Sequence, residues 1–132
     1  MQRIHNSDDA IESEIQAKGK TAPRITPADI QAAIRTAHYF SAHDGVKATM
    51  PPQCVVPDYP ELSLLTFCVL VLRNGFTVTG ESACASPENF DAEIGRKIAL
   101  QNAEQKIWLL EGYLLKESLH NEQQEHPEET NN

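Results

Sequence analysis

Apolar positions along the chain follow a strand pattern in the middle and a helical pattern towards each end. The apolar run from Leu64 to Leu72 is too short to cross a bilayer and is rich in β-branched residues, which predicts a strand buried on both faces. Asn74 and Gly75 follow it, and both tolerate positive φ, which predicts a tight hairpin turn. From Phe76 to Glu81 apolar and polar residues alternate, which predicts the returning strand.

A long C-terminal helix is predicted after this hairpin, ending near Leu119. Ser86 can cap it with Pro87 at its first position, and Asn89 is the alternative cap. Apolar and small residues recur there at steps of three and four: Ala92, Gly95, Ala99, Ala103, Ile107, Leu110 and Leu114. Because the early members are small, we expect another element or a ligand to approach the helix closely near its start.

A shorter N-terminal helix is predicted from Thr26, which can cap it, to Gly45, which ends it. Its expected buried face comprises Ile30, Ala33, Ile34, Ala37 and Phe40. The proline-rich segment 46–61 should be a loop, with Cys54–Val56 as a candidate short strand. The elements together predict an α+β fold, a small antiparallel sheet packed against the long helix and the shorter one.

The chain divides by composition into a polar arm (1–21), one domain (22–119) and an acidic tail (120–132) without hydrophobic residues, which should be disordered. The net charge is −8, of which −5 belongs to residues 117–132. A domain of this size has a modest core and gains from oligomerisation. Trp108 and Tyr113 with neighbouring leucines make the long helix apolar on several sides, which predicts at least a dimer.

The charge of the chain indicates which partners to expect, and its cysteine content indicates the compartment. An acidic chain without a basic stripe would repel duplex DNA, whereas a small diphosphate ligand needs only a few converging cations. No membrane partner is expected. The three cysteines, at 54, 68 and 84, are odd in number and widely spaced, and no signal-peptide pattern precedes them. We therefore expect a reducing cytoplasm.

Several sequence blocks occur in a fixed order between Ala22 and Leu115: ARITPADIQAAI, NGF, GESAC, SPENFD, EIGRKIA and QNA. In this combination the chain resembles a family of small tailed-phage proteins that includes the type-one Thoeris anti-defence proteins. The resemblance implies a non-enzymatic sponge that captures immune signalling nucleotides and releases them intact. The implied ligands are cyclic ADP-ribose isomers made by Thoeris TIR proteins and the cyclic di- and trinucleotides of CBASS. The implied assembly is a homodimer or a hexamer in the host cytoplasm.

Candidate ligand-binding residues lie around the hairpin and the long helix. Phe76 can stack on a base or pack in the core, and Asn89 and Asp91 can cap the helix or contact ligand. A carboxylate such as that of Asp91 accepts hydrogen bonds from ribose hydroxyls. Cations available for a diphosphate, each of which can equally be a solvated surface charge, are Arg73, Arg96 and Lys106. Asn102 is a candidate for a contact across an interface or to ligand, and Arg24 for a separate pocket formed on oligomerisation.

The sequence gives little support for catalysis or for metal binding. His38 and His43 are five residues apart, which is not the spacing that places two ligands on one helical face. We find neither a phosphate loop nor paired catalytic carboxylates, so no enzyme, metal or cofactor is expected. The alternative function is a phage inhibitor that blocks a host protein through the acidic tail or the exposed helix. Truncation of residues 120–132 would separate the two, since a sponge should tolerate it.

Overall fold

The structure is a computed structural model, and it describes residues 7–55 and 59–125. The helices are α1 (Ser7–Ala17), α2 (Pro27–Ala33), α3 (Ala42–Thr49), α4 (Pro60–Ser63) and α5 (Ala92–Glu125), and the strands are β1 (Ile34–Ser41), β2 (Leu65–Leu72) and β3 (Thr77–Ala83). The strands form one antiparallel sheet in the order β1-β2-β3. The long helix α5 packs on one face of it, which confirms the α+β prediction.

The hairpin between β2 and β3 forms as predicted. Gly75 has a φ of 89°, the left-handed conformation that favours glycine. The Leu72 amide donates to the Phe76 carbonyl oxygen at 2.8 Å, and the Phe76 amide donates to Asn74 Oδ1 at 3.0 Å. The turn residues therefore fix the register of the sheet locally.

The central strand β2 is buried more on one face than on the other. Thr66, Cys68, Leu70 and Leu72 are buried, whereas the residues between them are half-buried. The expectation of burial on both faces was therefore wrong in part, because α5 covers one face only. On the opposite face Phe40 and Phe67 stack, with ring centroids 5.5 Å apart.

The predicted N-terminal helix from 26 to 45 is wrong in its second half. The helix α2 ends at Ala33, and the chain then continues as β1, which pairs with β2. Residues 34–40 are rich in β-branched and aromatic types, and pairing satisfies their backbone groups along a whole strand. Thr26 does cap α2, and Ile30 and Ala33 are buried as expected, whereas Phe40 is 40% exposed.

The segment after β1 also departs from the prediction. Gly45 lies inside α3, a separate helix with its own capping box between Ser41 and Asp44, so it does not end a helix. Cys54 and Val55 are not in a strand, and Val56 lies outside the described residues. The loop expected over 46–61 is therefore helical at both of its ends, over residues 46–49 and 60–61.

The helix α5 begins later than predicted. Pro87–Asn89 forms a separate 3-10 turn without a side-chain cap from Ser86, and Phe90 is extended. Asp91 is the cap, since its Oδ1 accepts from the Ile94 amide at 3.1 Å. The helix reaches Glu125, and so enters the tail expected to be disordered. Residues 126–132 of that tail lie outside the described part.

The small-residue row of α5 meets the sheet where the sequence predicts a close approach. At Gly80 on β3, a Cβ atom would overlap the Ala99 carbonyl oxygen and the Ala103 amide nitrogen of α5. Ala99 and Ala103 are fully buried there. The absence of a side chain at position 80 therefore sets the distance between sheet and helix.

The helix α1 is attached to the domain by an ion pair. The Arg24 guanidinium donates to both carboxylate oxygens of Glu12, at 2.5 and 2.8 Å. This pairing holds the pKa of Glu12 down to about 2, because hydrogen bonds from Arg24 and Gln16 stabilise the charged carboxylate. No helix within residues 7–55 and 59–125 has the length and apolarity needed to cross a membrane.

Candidate functional site

One cavity lies beside the hairpin, and we call it the hairpin groove. It has a volume of about 580 Å³, and its lining residues are Ala33, Leu72, Arg73, Asn74, Phe76, Leu110, Glu111, Tyr113 and Leu114. Three segments build it: the end of α2, the β2–β3 turn and the second half of α5. Most of the lining is apolar, which is typical of small-molecule and protein-binding clefts.

Two aromatic rings and one cation stand at the open side of the hairpin groove. Phe76 is 56% exposed and Tyr113 is 71% exposed, so both have ring surface available for stacking. Arg73 Nη2 lies 3.6 Å from Glu111 Oε1. The Arg73 side chain is 65% exposed, so an anionic ligand can reach its guanidinium, whereas the Glu111 side chain is mostly buried, at 17% exposed. The Arg73 backbone is fixed, because its amide donates to the Ala33 carbonyl oxygen.

A shallower depression adjoins the groove on the other side of Phe76. It includes Lys106, whose Nζ donates to Thr79 Oγ1 at 3.4 Å, and Leu109, which is 79% exposed. Phe76 lines both depressions. The fold therefore brings three of the predicted site residues to one surface, namely Arg73, Phe76 and Lys106.

A second cavity of about 280 Å³ lies at the start of α5, and we call it the helix-start cavity. Its lining residues are Tyr39, Phe40, Ser41, Asp44, Ser63, Thr66, Phe90, Ala92 and Arg96. It is more polar than the hairpin groove. The two cavities lie at opposite ends of the sheet, since Thr66 is the second residue of β2 and Leu72 is its last.

Arg96 is the predicted cation that the fold places in the helix-start cavity. Its guanidinium forms no hydrogen bond or ion pair with the part of the chain that the structure describes, whereas the adjacent Lys97 pairs with Glu93 at 3.4 Å. Asp44 faces the same cavity, and hydrogen bonds from Ser41 keep the pKa of its carboxyl below the ordinary value. The cavity therefore contains both a guanidinium and a carboxylate.

The other predicted residues have structural contacts. Asp91 caps α5, and Asn89 lies exposed in the preceding 3-10 turn. Asn102 Nδ2 donates to the Glu81 carbonyl oxygen at 2.7 Å, which links α5 to β3. Arg24 pairs with Glu12, and neither residue lines either cavity. The eight candidates thus do not converge on a single pocket within one protomer.

Sequence reasoning missed Thr66 and Tyr113 as cavity residues. Thr66 is hidden in the apolar run of β2, and nothing in its local pattern marks it. Ser41 and Asp44 were also missed, although the spacing Ser-x-x-Asp is a visible capping signal that would have placed a helix start beside the sheet.

A polar cluster lies between the sheet and α5. Tyr39 and Cys68 share a hydrogen bond, and Glu104 accepts a hydrogen bond from Gln31 while only 3% exposed. Burial raises the pKa of Tyr39 to about 12 and that of Cys68 to about 11, with the charge of Glu104 adding to both shifts. A thiol with a raised pKa is a poor nucleophile at neutral pH. Among the described residues, no three His, Cys, Asp or Glu side chains group as a metal site.

The described residues define a small α+β protein, a three-stranded antiparallel sheet on one long helix, with the hairpin groove and the helix-start cavity at opposite ends of the sheet. The chain belongs to the phage protein family described as N4 Gp49/phage Sf6 gene 66, whose sequence model matches residues 25–119. This finding confirms the expected membership of a small phage protein family. Comparisons with curated proteins and with solved structures found no match.

Proposed function

We propose that this phage protein is a sponge that binds a cyclic nucleotide immune signal in the host bacterial cytoplasm and sequesters it without degrading it. The observation that carries the proposal is the surface that joins Arg73, Phe76 and Lys106 across the hairpin groove and its neighbouring depression. An exposed ring flanked by two cations offers a stacking platform for a base together with charge for a diphosphate. The cyclic ADP-ribose isomers are the first ligand class, and cyclic di- and trinucleotides are the second.

Self-association belongs to the same proposal. Leu109, Tyr113 and Leu114 leave a large apolar area exposed on the second half of α5. A second copy that covers this area would close the hairpin groove into a pocket between protomers, and a homodimer or a hexamer would follow. Pocket closure also strengthens electrostatic contacts, because it excludes water from the cations.

The required affinity is high, since a stoichiometric sponge must hold a dilute signal. Binding of about −10 kcal/mol or better corresponds to a dissociation constant of tens of nanomolar or tighter. A preformed pocket reaches this range more easily than a surface that orders on binding.

The test is calorimetric titration of the purified protein with glycocyclic ADP-ribose isomers, followed by cyclic di- and trinucleotides. The complex is then heated and the released ligand is analysed. We expect tight binding, release of unchanged ligand, and a loss of about tenfold to a hundredfold in affinity for Arg73→Gln. Arg35→Gln is the matched control, because Arg35 is exposed on β1 outside both cavities. A cleaved product would contradict the sponge, and so would no binding across the panel.

The second candidate function is inhibition of a host protein by direct contact. The exposed apolar residues of α5 favour it, because such a surface can bind a partner protein as well as a second copy. Light scattering, together with the titration, separates the two candidate functions. A dimer that binds nucleotide supports the sponge, whereas a monomer that binds no nucleotide favours the inhibitor.

A further inference from the structure

The hydroxyl of Thr66 is buried in a place where packing alone does not require it. Thr66 is 6% exposed and lines the helix-start cavity. Its side chain makes no hydrogen bond to any residue in 7–55 or 59–125. A buried hydroxyl without a partner lowers stability, whereas valine would fill the same space at no such cost.

The neighbouring helix leaves room for this hydroxyl. Gly95 of α5 faces Thr66, and a Cβ atom at position 95 would lie 3.1 Å from Thr66 Oγ1. Any side chain there would press on the hydroxyl. The glycine therefore keeps the threonine oxygen free at the wall of the cavity.

A second group without a partner lines the same cavity. Arg96 is an exposed residue whose guanidinium forms no hydrogen bond or ion pair within residues 7–55 and 59–125, whereas the adjacent Lys97 pairs with Glu93. Phe40 and Phe90 provide aromatic surface beside it. Asp44 adds an ionised carboxylate, so a ligand that suits this cavity needs a hydrogen-bond donor as well as an anion.

We propose that the helix-start cavity is a separate ligand site for a small molecule that joins an anionic group to an aromatic ring and carries donor groups. A volume of about 280 Å³ is near the lower limit of known ligand pockets and suits a molecule the size of a nucleoside monophosphate. In this site Arg96 binds the anion, Thr66 binds a polar atom of the ligand, and Asp44 accepts from an amino or hydroxyl group. The site does not depend on the hairpin groove, which lies at the other end of β2.

The test uses adenosine monophosphate as the probe and backbone amide NMR shifts of the full chain as the readout. We expect shifts that cluster at Thr66 and Arg96 and report a saturable affinity. Thr66→Val should raise the melting temperature and weaken binding by about two- to tenfold, since it removes an unpaired hydroxyl and one ligand contact. A purely structural threonine would show the opposite change in melting temperature.

Adenosine lacks the phosphate group, so comparing it with adenosine monophosphate isolates the contribution of Arg96 to binding. Arg96→Gln should weaken binding of the monophosphate by about tenfold to a hundredfold and leave the weaker binding of adenosine unchanged. Lys97→Gln is the matched control, because Lys97 is the next residue on α5 and pairs with Glu93 outside the cavity. It should leave the affinity for both probes unchanged.

Three outcomes would overturn the proposal: no shifts at the cavity residues with millimolar probe, a lower melting temperature for Thr66→Val, or equal losses for Arg96→Gln and Lys97→Gln. Arg73→Gln distinguishes this proposal from the sponge. It should leave the shifts at Thr66 and Arg96 unchanged even if it abolishes binding at the hairpin groove, so either proposal can fail alone.

Discussion

The two cavities that α5 lines, one at its start and one in its second half, present opposite kinds of surface. At the hairpin end the cavity is large and apolar, and Arg73 has a carboxylate partner in Glu111. At the other end the cavity is small and polar, and Arg96 and Thr66 lack partners within the described residues. The difference teaches that exposed apolar area and unpaired polar groups mark separate sites. In the two proposals made above, the first surface serves self-association and closure of the hairpin groove over a nucleotide, and the second serves a smaller polar ligand.

Gly80→Val should have the largest effect on stability, because it disturbs the packing of the sheet on α5 and so affects both cavities at once. The valine side chain would overlap backbone atoms of Ala99 and Ala103, which cannot move aside without separating β3 from α5. We expect a loss of about 3 kcal/mol or more in the free energy of unfolding, measured by urea denaturation.

The control for this substitution is Gly112→Ala on α5. Nothing lies within 4 Å of a Cβ atom at position 112. Alanine there should stabilise the helix by about 0.5 to 1 kcal/mol. If both glycine substitutions had the same small effect, the close contact at Gly80 would be refuted.

Asp91→Ala should affect the helix-start end alone. It removes the cap of α5 and should cost about 1 kcal/mol, with faster amide exchange confined to the first turn of the helix. Asn89→Ala, two residues away, is the control and should change stability little, because Asn89 is exposed and does not cap α5. Equal effects of the two substitutions would restore Asn89 as a cap.

The polar cluster between the sheet and α5 should make the stability of the fold sensitive to alkaline pH. Because the pKa of Cys68 is raised from 9.0 to about 11 in the fold, the unfolded chain loses this proton first, and stability should fall as pH rises from about 9 towards 11. Tyr39, raised from 10.0 to about 12, adds to the decline at higher pH. The measurement is the urea midpoint across this range. Cys68→Ala should flatten the first part of the decline, and an unchanged slope would contradict the burial effect.

Glu12→Gln should have the smallest effect on the domain. It removes the ion pair that holds α1, so amide exchange over residues 7–17 should speed up while the melting temperature stays nearly constant. Acid should act in the same way. The stabilising charge of Glu12 is present above its ordinary pKa of 4.5 and is lost as pH falls towards about 2. A large drop in melting temperature would show that α1 is part of the core.

Locally encoded features were predictable from the sequence. The Asn74-Gly75 turn and the small-residue row of α5 each carry a short-range signal, and both led to correct structure. The strand β1 was not predictable in this way. Its apolar residues also fit helical spacing, and only pairing with β2, some thirty residues later in the chain, decides between the two.

The residues of the candidate sites also divide into those that a local sequence pattern identifies and those that it does not. Arg73 and Phe76 were identified because one turn brings them together, and Lys106 joined them because β3 lies against α5. The helix-start cavity is assembled from the end of β1, the start of β2 and the start of α5. No local pattern connects three such distant segments, so Thr66 was not identified from the sequence.

The position of α5 after the three strands in the chain has a consequence for synthesis. The sheet is complete at Ala83, but its buried face is covered by Ala99, Ala103 and Ile107, which leave the ribosome later. Until then Leu70 and Val78 have no apolar cover, and an exposed sheet of this kind is prone to aggregate. The nascent protein should therefore fold only after α5 as far as Ile107 has left the ribosome, and a nascent chain that ends shortly after Cys84 should still be unfolded.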